Sequence, residues 1–355
     1  MTAINPFVFP GLRSRVIFGH GTIAETGAEI ERLGRRKALV LSTPNQKADA
    51  EALSERLGAV SAGVFADATM HTPVEVTERA LAAFKASGAD CVVALGGGST
   101  IGLGKAIATR TGADQIVIPT TYAGSEMTDI LGETAGGEKT TRRDPSILPE
   151  TVIYDVDLTL TLPLGLTITS GLNAMAHAAE ALYARDRNPI ITLMATDALG
   201  ALSSALPVLA KDADDREARA GALYGAWLCG AALGGASMAL HHKLCHTLGG
   251  SFNTPHAETH AILLPHTIGF NSVEAPDLLT PVSDVLGGTP GVALFDFAAS
   301  LGAPTKLRDF GLSESDLDRA ADIATKNPYW NPRPFDRESI RALLYDAWEG
   351  RRPPQ

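Results

Sequence analysis

The sequence predicts two domains, an N-terminal α/β domain with a parallel sheet followed by an all-α domain. The chain has 355 residues, which is more than one hydrophobic core usually serves. Short β-branched runs alternate with helical patterns over roughly the first 160 residues, and the strand signals then stop. From Thr169 onward the pattern is helical and rich in alanine. We therefore expect an α/β domain over residues 1–160 and a helical domain over residues 161–355.

In the first domain, apolar strands and amphipathic helices alternate. KALVLST (37–43) reads as a strand, residues 44–57 as a helix and VTERALAAFKASG (76–88) as a second helix. DCVVALGGGST (90–100) follows as a buried strand that ends in glycines, and QIVIPTTYAGSE (115–126) as a strand that ends in a loop. Apolar strands that alternate with helices indicate a parallel sheet covered on both faces.

The second domain contains an almost wholly apolar stretch, Ala218–Leu240. Such a stretch is typical either of a helix buried on most faces or of a membrane span. Repeated glycines within it, charged residues before it and histidines after it favour a core helix.

Composition and charge indicate a globular protein with small-molecule ligands. The chain is 45% hydrophobic and 20% charged, and its formal net charge of −10 argues against nonspecific binding to nucleic acid. Its three cysteines, Cys91, Cys229 and Cys245, suggest neither a disulfide framework nor a zinc ribbon. The N-terminal residues combine apolar stretches with Pro and Arg, unlike a signal peptide or membrane anchor. We expect a cytoplasmic protein without a nucleic-acid or membrane partner.

Two loops at the ends of neighbouring strands predict a dinucleotide site. GGGSTIGLGKA (96–106) follows a strand and opens a helix, so glycine N–H groups and the helix dipole face a pyrophosphate. Glycine-rich turns also occur for packing reasons, and this one lacks the GxGxxG pattern. PTTYAGSEMT (119–128) adds the hydroxyls of Thr120, Thr121, Ser125 and Thr128. Together the two loops favour a bound dinucleotide.

A cluster of histidines with one asparagine predicts a second site. Asn173 and His177 are one helical turn apart, and His242, His246 and His256 follow in HHKLCHTLGGSFNTPH. Helical domains build ligand sites from such side chains, although buried histidines also serve as plain core residues. A divalent cation favours a carboxylate where this chain has Asn173, because a neutral amide is a poorer ligand. We therefore expect a site that works without metal.

These motifs together resemble the iron-containing alcohol dehydrogenase family over nearly the whole chain. The resemblance implies a dehydroquinate synthase-like architecture, a homodimer and a nicotinamide cofactor. It implies dinucleotide contacts at Gly97, Gly98, Ser99, Thr120, Thr121, Thr128 and Lys139. The family's metal ligands fall on Asn173, His177, His242 and His256, with His246 beside the nicotinamide.

The chain departs from the family pattern at three positions. Metal-using members have aspartate where this chain has Asn173, and Gly102 replaces an acidic residue common after GGGS. Thr43 ends a strand where NAD-selective relatives often place an aspartate that bonds the ribose and repels a 2′-phosphate. We therefore expect NADPH to be tolerated as well as NADH.

Within the family, MHTPVEV (70–76), PTTYAGSEMT and Asn173 resemble the branch that reduces the C=C bond of maleylacetate to 3-oxoadipate in aromatic-compound catabolism. In this interpretation the pocket of Asn173, His177, His242 and His256 stabilises an enolate. Either His246 or His242 donates the proton, and Tyr122 is an alternative acid. The carboxylates of this small dicarboxylate substrate would bind cations, for which the candidates are Lys243, Arg142 and Arg143.

Two other functions compete with this one. A metal-dependent (iron or zinc) alcohol or polyol dehydrogenase of the same family is the nearer, because three histidines can hold zinc without a carboxylate. A non-catalytic nucleotide-binding protein is the more distant. The histidine cluster argues against the latter, since nucleotide binding alone does not need it.

Overall fold

The computed structural model describes residues 6–9, 11, 13–136 and 138–354, without the side chains of residues 138 and 139. The chain divides into two compact units. One is the α/β unit, Gly11–Leu162, and the other is the helical unit, which begins at Pro163 and includes the described residues before Gly11. The sequence placed the boundary near residue 160, and the observed division follows Leu162.

The α/β unit is built on a parallel sheet of six strands in the order β1-β8-β5-β4-β2-β3, and β6 and β7 form a separate antiparallel pair. The predicted fold class is thereby confirmed for this unit. Its elements are β1 (Arg15–Gly19), α1 (Thr26–Arg32), β2 (Ala38–Leu41), α2 (Lys47–Leu57), β3 (Ser61–Phe65), α3 (Val74–Ala86), β4 (Cys91–Gly96), α4 (Gly98–Thr111), β5 (Asp114–Pro119), β6 (Ile130–Ala135), β7 (Glu138–Arg143) and β8 (Thr151–Asp155).

The strand order places a topological switch point between β2 and β4. From β2 the chain moves outward to β3, and from β4 it moves the opposite way to β5 and then β8. Helices that follow β2 and β4 therefore lie on opposite faces of the sheet, which leaves a crevice at the carboxyl ends of these strands. The glycine loop after β4 borders this crevice, and so does Thr43, two residues beyond the end of β2.

The helical unit consists of packed helices, as predicted. They are α5 (Leu164–Tyr183), α6 (Pro189–Leu209), α7 (Arg216–Gly235), α8 (Leu240–Phe252), α9 (His256–Ser272), α10 (Thr280–Leu286), α11 (Pro290–Ser300), α12 (Glu314–Lys326) and α13 (Arg337–Glu349). Glycines allow close approach within the α5–α6–α7 layer: a Cβ on Gly171 would lie 2.7 Å from Leu206 Cδ2. One on Gly225 would lie 2.8 Å from Leu202 Cγ.

The apolar stretch Ala218–Leu240 is not one helix, and this part of the sequence prediction was wrong. Helix α7 ends at Gly235, Ala236 is extended with φ −140°, and α8 begins at Leu240 after a bend of 96°. Hydrophobicity reports burial and not where a helix ends, so the break was missed. By length and composition alone, α6 and Asp277–Ser300 are apolar enough to span a membrane, as is the bent pair α7–α8 if it is counted as one span. Within the unit, α6 packs against α5 and α7.

Candidate active site

One face of α5 carries three buried polar side chains. Asn173, His177 and Glu180 occupy positions i, i+4 and i+7 of a helix that is otherwise mostly alanine, leucine and glycine. The exposed fractions of the three residues are 2%, 3% and 0%. Buried polar groups need partners, so this face must meet other polar groups.

Glu180 determines where α8 starts. Its carboxylate accepts hydrogen bonds from the backbone amides of Ala239 (3.0 Å) and His241 (2.8 Å), which would otherwise lack acceptors at the helix N-terminus. The negative charge is also favourable there because it meets the positive end of the helix dipole. Helix α8 then presents His242 and His246, one turn apart, before it ends at Phe252.

A short turn joins α8 to α9, which begins at the fourth predicted histidine. Asn253 adopts a left-handed conformation (φ 53°), and Pro255 precedes α9, whose first residue is His256. His260 lies one turn further along α9, with its ring centroid 4.5 Å from that of His256. It is also 5.1 Å from the ring of His242 and 6.0 Å from that of His177. The cluster therefore combines α5, α8 and α9.

A hydrogen-bonded chain runs through the middle of this cluster. His242 Nδ1 lies 2.6 Å from Glu180 Oε2, and His242 Nε2 lies 2.9 Å from His177 Nδ1. Burial raises the pKa of Glu180, but the hydrogen bond and charge of His242 and the two backbone amides outweigh it and leave this pKa below its usual value. An ionised Glu180 fixes a proton on His242 Nδ1. In the neutral ring, Nε2 then accepts a hydrogen bond from His177.

Exposure divides the cluster into an inner and an outer part. His177, His241, His242 and His260 are buried, whereas His246 and His256 are exposed. Burial, together with the neighbouring imidazoles, holds the pKa of His241 and His260 well below the usual histidine value. These two rings are therefore neutral at physiological pH and can donate and accept hydrogen bonds without adding charge.

The predicted family ligand set lacks the carboxylate that a divalent cation favours. The ring nitrogens of His177 and His242 that face each other are joined in a hydrogen bond, and both nitrogens of His242 are engaged. Asn173 supplies a neutral amide, and its buried Oδ1 has no hydrogen-bond partner among the described residues. Three histidines can still hold zinc, but a cation would first have to displace the hydrogen bond between His177 and His242. The arrangement is a polar pocket in which Asn173 Oδ1 can still accept a hydrogen bond.

A second group of possible ligands lies behind this pocket. The ligand atoms of His241, Cys245 and His260 lie within 4.8 Å of one another, and all three residues are buried. Burial, reinforced by the charge of Glu180, raises the pKa of the Cys245 thiol well above its usual value. Zinc binds the thiolate, and a bound ion would itself displace the thiol proton, so these three residues form a candidate metal-binding group. In the structure His241 Nε2 and His260 Nδ1 lie 2.9 Å apart in a hydrogen bond.

In the α/β unit, the two predicted cofactor loops lie against each other. The amide of Thr120 donates to Gly96 O (3.2 Å), and a Cβ on Gly97 would lie 2.9 Å from the Thr121 side chain. Helix α4 begins at Gly98, directly beyond its N-cap Gly97, so the first-turn amides of Gly98 and Ser99 open the helix. These features fit a pyrophosphate, which needs close backbone approach and free N–H donors.

A buried lysine holds the second loop in place. Lys105 Nζ on α4 donates to Ser125 O (2.6 Å), Thr128 O (2.8 Å), Thr128 Oγ1 (3.0 Å) and Ile130 O (3.0 Å). Ser125 Oγ lies 3.4 Å away. The hydroxyl of Thr128 is therefore turned inward, where it supports the loop.

The remaining predicted residues of this unit have varied surroundings. A Cβ on Gly102 would collide with Thr72 Oγ1, so the space of the family's acidic residue is taken by the loop MHTPVEV. Thr43 is half-buried, and Tyr122 is fully buried. Lys139 lies in β7, but its side chain is outside the described part of the chain.

The two candidate arginines each have a carboxylate partner. Arg142 lies 3.4 Å from Glu133 and donates to Thr109 Oγ1 at 2.8 Å, and Arg143 lies 3.1 Å from Asp129. Lys243, in contrast, pairs with no carboxylate among the described residues, and its Nζ lies 5.4 Å from the ring centroid of Tyr329. Lys243 is therefore the freer of the three cations.

Comparison with known proteins agrees with this architecture. A model described as iron-containing alcohol dehydrogenase matches residues 13–156, and the C-terminal model of the Fe-containing alcohol dehydrogenase family matches residues 167–348. The chain belongs to the iron-containing alcohol dehydrogenase family.

Individual relatives within the family are also similar over full length. Maleylacetate reductase of Rhizobium sp. (strain MTP-10005) is 61% identical over 350 residues, which cover 99% of this chain and 100% of that protein. Maleylacetate reductase of Burkholderia cepacia is 52% identical over 351 residues, with coverage of 99% and 100%. The crystal structure of maleylacetate reductase from Agrobacterium tumefaciens matches with a TM-score of 0.96 and 61% identity, covering 99% of this chain and 100% of that one.

Sequence reasoning missed four residues of the candidate sites. Glu180 and His260 could have been found, because NAMAHAAE and HAETH repeat the helical spacing that identified Asn173 and His177. Lys105 stood in the glycine motif, but nothing in the sequence showed that it is buried. Tyr329, whose hydroxyl lies 3.3 Å from His246 Nδ1, comes from an irregular segment with no periodic signal.

Proposed function

We propose that this protein is a maleylacetate reductase that uses NADH or NADPH to reduce the C=C bond of maleylacetate to 3-oxoadipate. The observation that carries the proposal is 61% identity to a maleylacetate reductase along the full length of both chains. The geometry supports it, because a polar His/Asn pocket and a pair of dinucleotide loops are what an enone reduction needs.

The substrate is a conjugated enone with two carboxylates. A bound nicotinamide supplies the hydride, which the alkene carbon β to the ketone accepts. Electron density then moves to the ketone oxygen as an enolate, and protonation of the α-carbon completes the reduction. The protein must therefore stabilise one oxyanion, deliver one proton and bind the carboxylates.

The His/Asn pocket is suited to the oxyanion. Hydrogen-bond donors that are already oriented in a water-poor site stabilise developing charge without reorganisation. Asn173 is buried and held on α5, and its amide can donate through its Nδ2 hydrogens. The neutral His177 ring directs its one N–H at His242 Nε2, so the imidazole donor to the oxyanion is assigned to His256. In this proposal no metal is needed, because fixed imidazole and amide donors take the place of a Lewis acid.

Proton delivery is assigned to the imidazoles of α8. The Glu180 carboxylate lies 2.6 Å from His242 Nδ1 and keeps the proton of the ring on that nitrogen. His246 is exposed, and its ring centroid lies 6.0 Å from that of His242. His246 therefore exchanges protons with solvent and is our candidate donor, whereas His242 links Glu180 to His177 in the inner pocket.

Cofactor and substrate binding complete the proposal. Gly97, Gly98 and Ser99 bind the pyrophosphate, and the absence of a carboxylate at Thr43 admits a 2′-phosphate. Lys243 binds a substrate carboxylate, because Arg142 and Arg143 are already paired. We further propose a cytoplasmic homodimer that acts on this small dicarboxylate.

The test is oxidation of NADH and NADPH with maleylacetate by protein treated exhaustively with chelator and checked for iron and zinc by elemental analysis. We expect full activity without metal. The variant Asn173→Asp restores the family's carboxylate and should retain metal that the unsubstituted protein does not. Activity lost on chelation and restored by metal would contradict the metal-free pocket. Oxidation of simple alcohols without turnover of maleylacetate would instead indicate a metal-dependent alcohol dehydrogenase.

A further inference from the structure

The outer edge of the histidine cluster contains a tyrosine from a distant part of the chain. Tyr329 is 38% exposed, and its hydroxyl lies 3.3 Å from His246 Nδ1. Lys243 Nζ lies 5.4 Å from the centroid of the same ring. A phenol, an ammonium and an imidazole thus meet on one exposed patch of the helical unit.

The segment that carries Tyr329 is anchored firmly. The amide of Asn331 pairs with that of Asn271 through two hydrogen bonds of 2.9 and 2.6 Å. Asn331 Oδ1 also accepts from the amide of Leu240 at 3.3 Å, at the first residue of the helix that carries His242 and His246. Arg333 Nη1 donates to Phe270 O at 3.0 Å. The irregular segment is therefore tied to α8 and α9, which holds the tyrosine over the histidines.

The chemistry of the patch suits an anion. Partial burial, with the charge of Glu180, raises the pKa of Tyr329, so its hydroxyl is a hydrogen-bond donor at neutral pH. If that hydroxyl accepts from His246 Nδ1–H, its own proton points outward to a ligand. Lys243 has no carboxylate partner among the described residues, so its charge is available. A carboxylate can accept a hydrogen bond from the hydroxyl and pair with the ammonium at the same time.

We infer that Tyr329 and Lys243 form the subsite for one carboxylate of the dianionic substrate, with the Tyr329 hydroxyl also orienting His246. This inference rests on the proposed function and deepens it. The subsite places the carboxylate beside His246, the candidate proton donor, so binding and proton delivery share one fixed tyrosine.

The test compares Tyr329→Phe with Tyr345→Phe, a control at a partly buried tyrosine on α13 that packs on Arg341 and Arg351. A hydrogen bond to a charged group is worth enough to change affinity roughly 10-fold or more. We expect Tyr329→Phe to raise the KM for maleylacetate by roughly that factor and also to lower kcat, because His246 loses the hydroxyl that orients it, with the KM for NADH nearly unchanged. Lys243→Met should raise the same KM, and the control should not.

Two further measurements identify the group that is bound. The protein should prefer maleylacetate over one of its two monomethyl esters, and Tyr329→Phe should reduce that preference. Binding of 3-oxoadipate without cofactor, measured by calorimetry, should weaken in parallel and needs no turnover. An unchanged KM, an unchanged ester preference, or a fall in kcat alone would overturn the subsite. Absence of any maleylacetate-dependent NADH oxidation by the unsubstituted protein would instead reject the proposed function, and the calorimetry would still decide on the subsite.

Discussion

Each of the two units contains a fully buried ionisable residue that holds part of the candidate site, and the two residues are stabilised in different ways. In the α/β unit, Lys105 donates to oxygens of residues 125–130. In the helical unit, Glu180 accepts from the backbone amides at the start of α8 and from His242. The cation holds the second of the two predicted cofactor loops in place, and the anion holds the histidines of α8 in place.

The pKa shifts of Lys105 and Glu180 show how the surroundings of the two residues differ. Burial lowers the pKa of Lys105 to about 7, although the carboxylates of Glu126 and Asp129 oppose this. Burial alone would raise the pKa of Glu180, but its hydrogen-bond donors outweigh burial and lower it. Glu180 therefore stays ionised at neutral pH, whereas Lys105 lies near its titration midpoint. In the proposed mechanism the permanent charge of Glu180 lies where a fixed tautomer of His242 is needed, and Lys105 lies under the predicted cofactor loop.

The largest effect is expected from Glu180→Gln. An amide cannot accept from all the donors around Oε1 and Oε2, so one of its N–H groups would face an N–H donor and the tautomer of His242 would no longer be fixed. Loss of an oriented acid–base group costs roughly 100- to 10,000-fold in turnover. Steady-state kcat at saturating substrates, with circular dichroism to confirm folding, measures this.

A matched control for that variant is Glu29→Gln. Glu29 is also a buried carboxylate, but it pairs with Arg15 and Arg32 in the α/β unit and belongs to neither loop. We expect it to lower stability and leave kcat unchanged. Equal losses of kcat in both variants would show that the effect of Glu180→Gln comes from removing a buried charge in general. It would not then come from the hydrogen bonds to His242 and His177.

The next effect is expected from Lys105→Met, which removes the charge at similar volume. Several loop oxygens would lose their donor, so the 119–128 loop would no longer be held. We expect the KM for NADH to rise roughly 10-fold or more, with a smaller change in kcat. In the unsubstituted protein this KM should also rise as the pH increases through about 7, because the amine loses its charge. A pH profile that is identical in the variant would contradict this role.

The sequence predicted most of the fold and only part of the candidate site. The parallel sheet followed from apolar runs such as CVVALG, and the paired Asn173 and His177 followed from helical spacing. Both are local patterns. The structure confirms the fold they imply, whereas the catalytic roles of the individual residues remain predictions.

What sequence reasoning missed depends on contacts between distant segments. Glu180 matters because the start of α8 meets α5, 59 residues further along the chain at Ala239. Tyr329 reaches His246 across 83 residues, from a segment fixed by the Asn331–Asn271 amide pair. The break after Gly235 lay inside a continuous apolar run, where hydrophobicity carries no information on direction. No local pattern encodes these contacts, although the helical spacing in NAMAHAAE does place Glu180 on the same face of α5 as His177.

The smallest effect sharpens the comparison, because it concerns a buried group whose pKa shift comes from burial alone. His266 on α9 is 5% exposed, its Nε2 has no hydrogen-bond partner among the described residues, and burial lowers its pKa to about 4. Below about pH 6.5 the unfolded chain binds a proton at His266, whereas the folded chain binds it only below about pH 4. The contribution of this residue to the free energy of unfolding therefore decreases as the pH is lowered across this window, by up to about 1.4 kcal/mol per pH unit. His266→Phe should remove that contribution from the slope of unfolding free energy against pH, measured by urea denaturation, and leave kcat at neutral pH unchanged. An unchanged slope would mean that His266 is charged in the folded state, and that the helical unit stabilises buried charge more generally than Glu180 alone suggests.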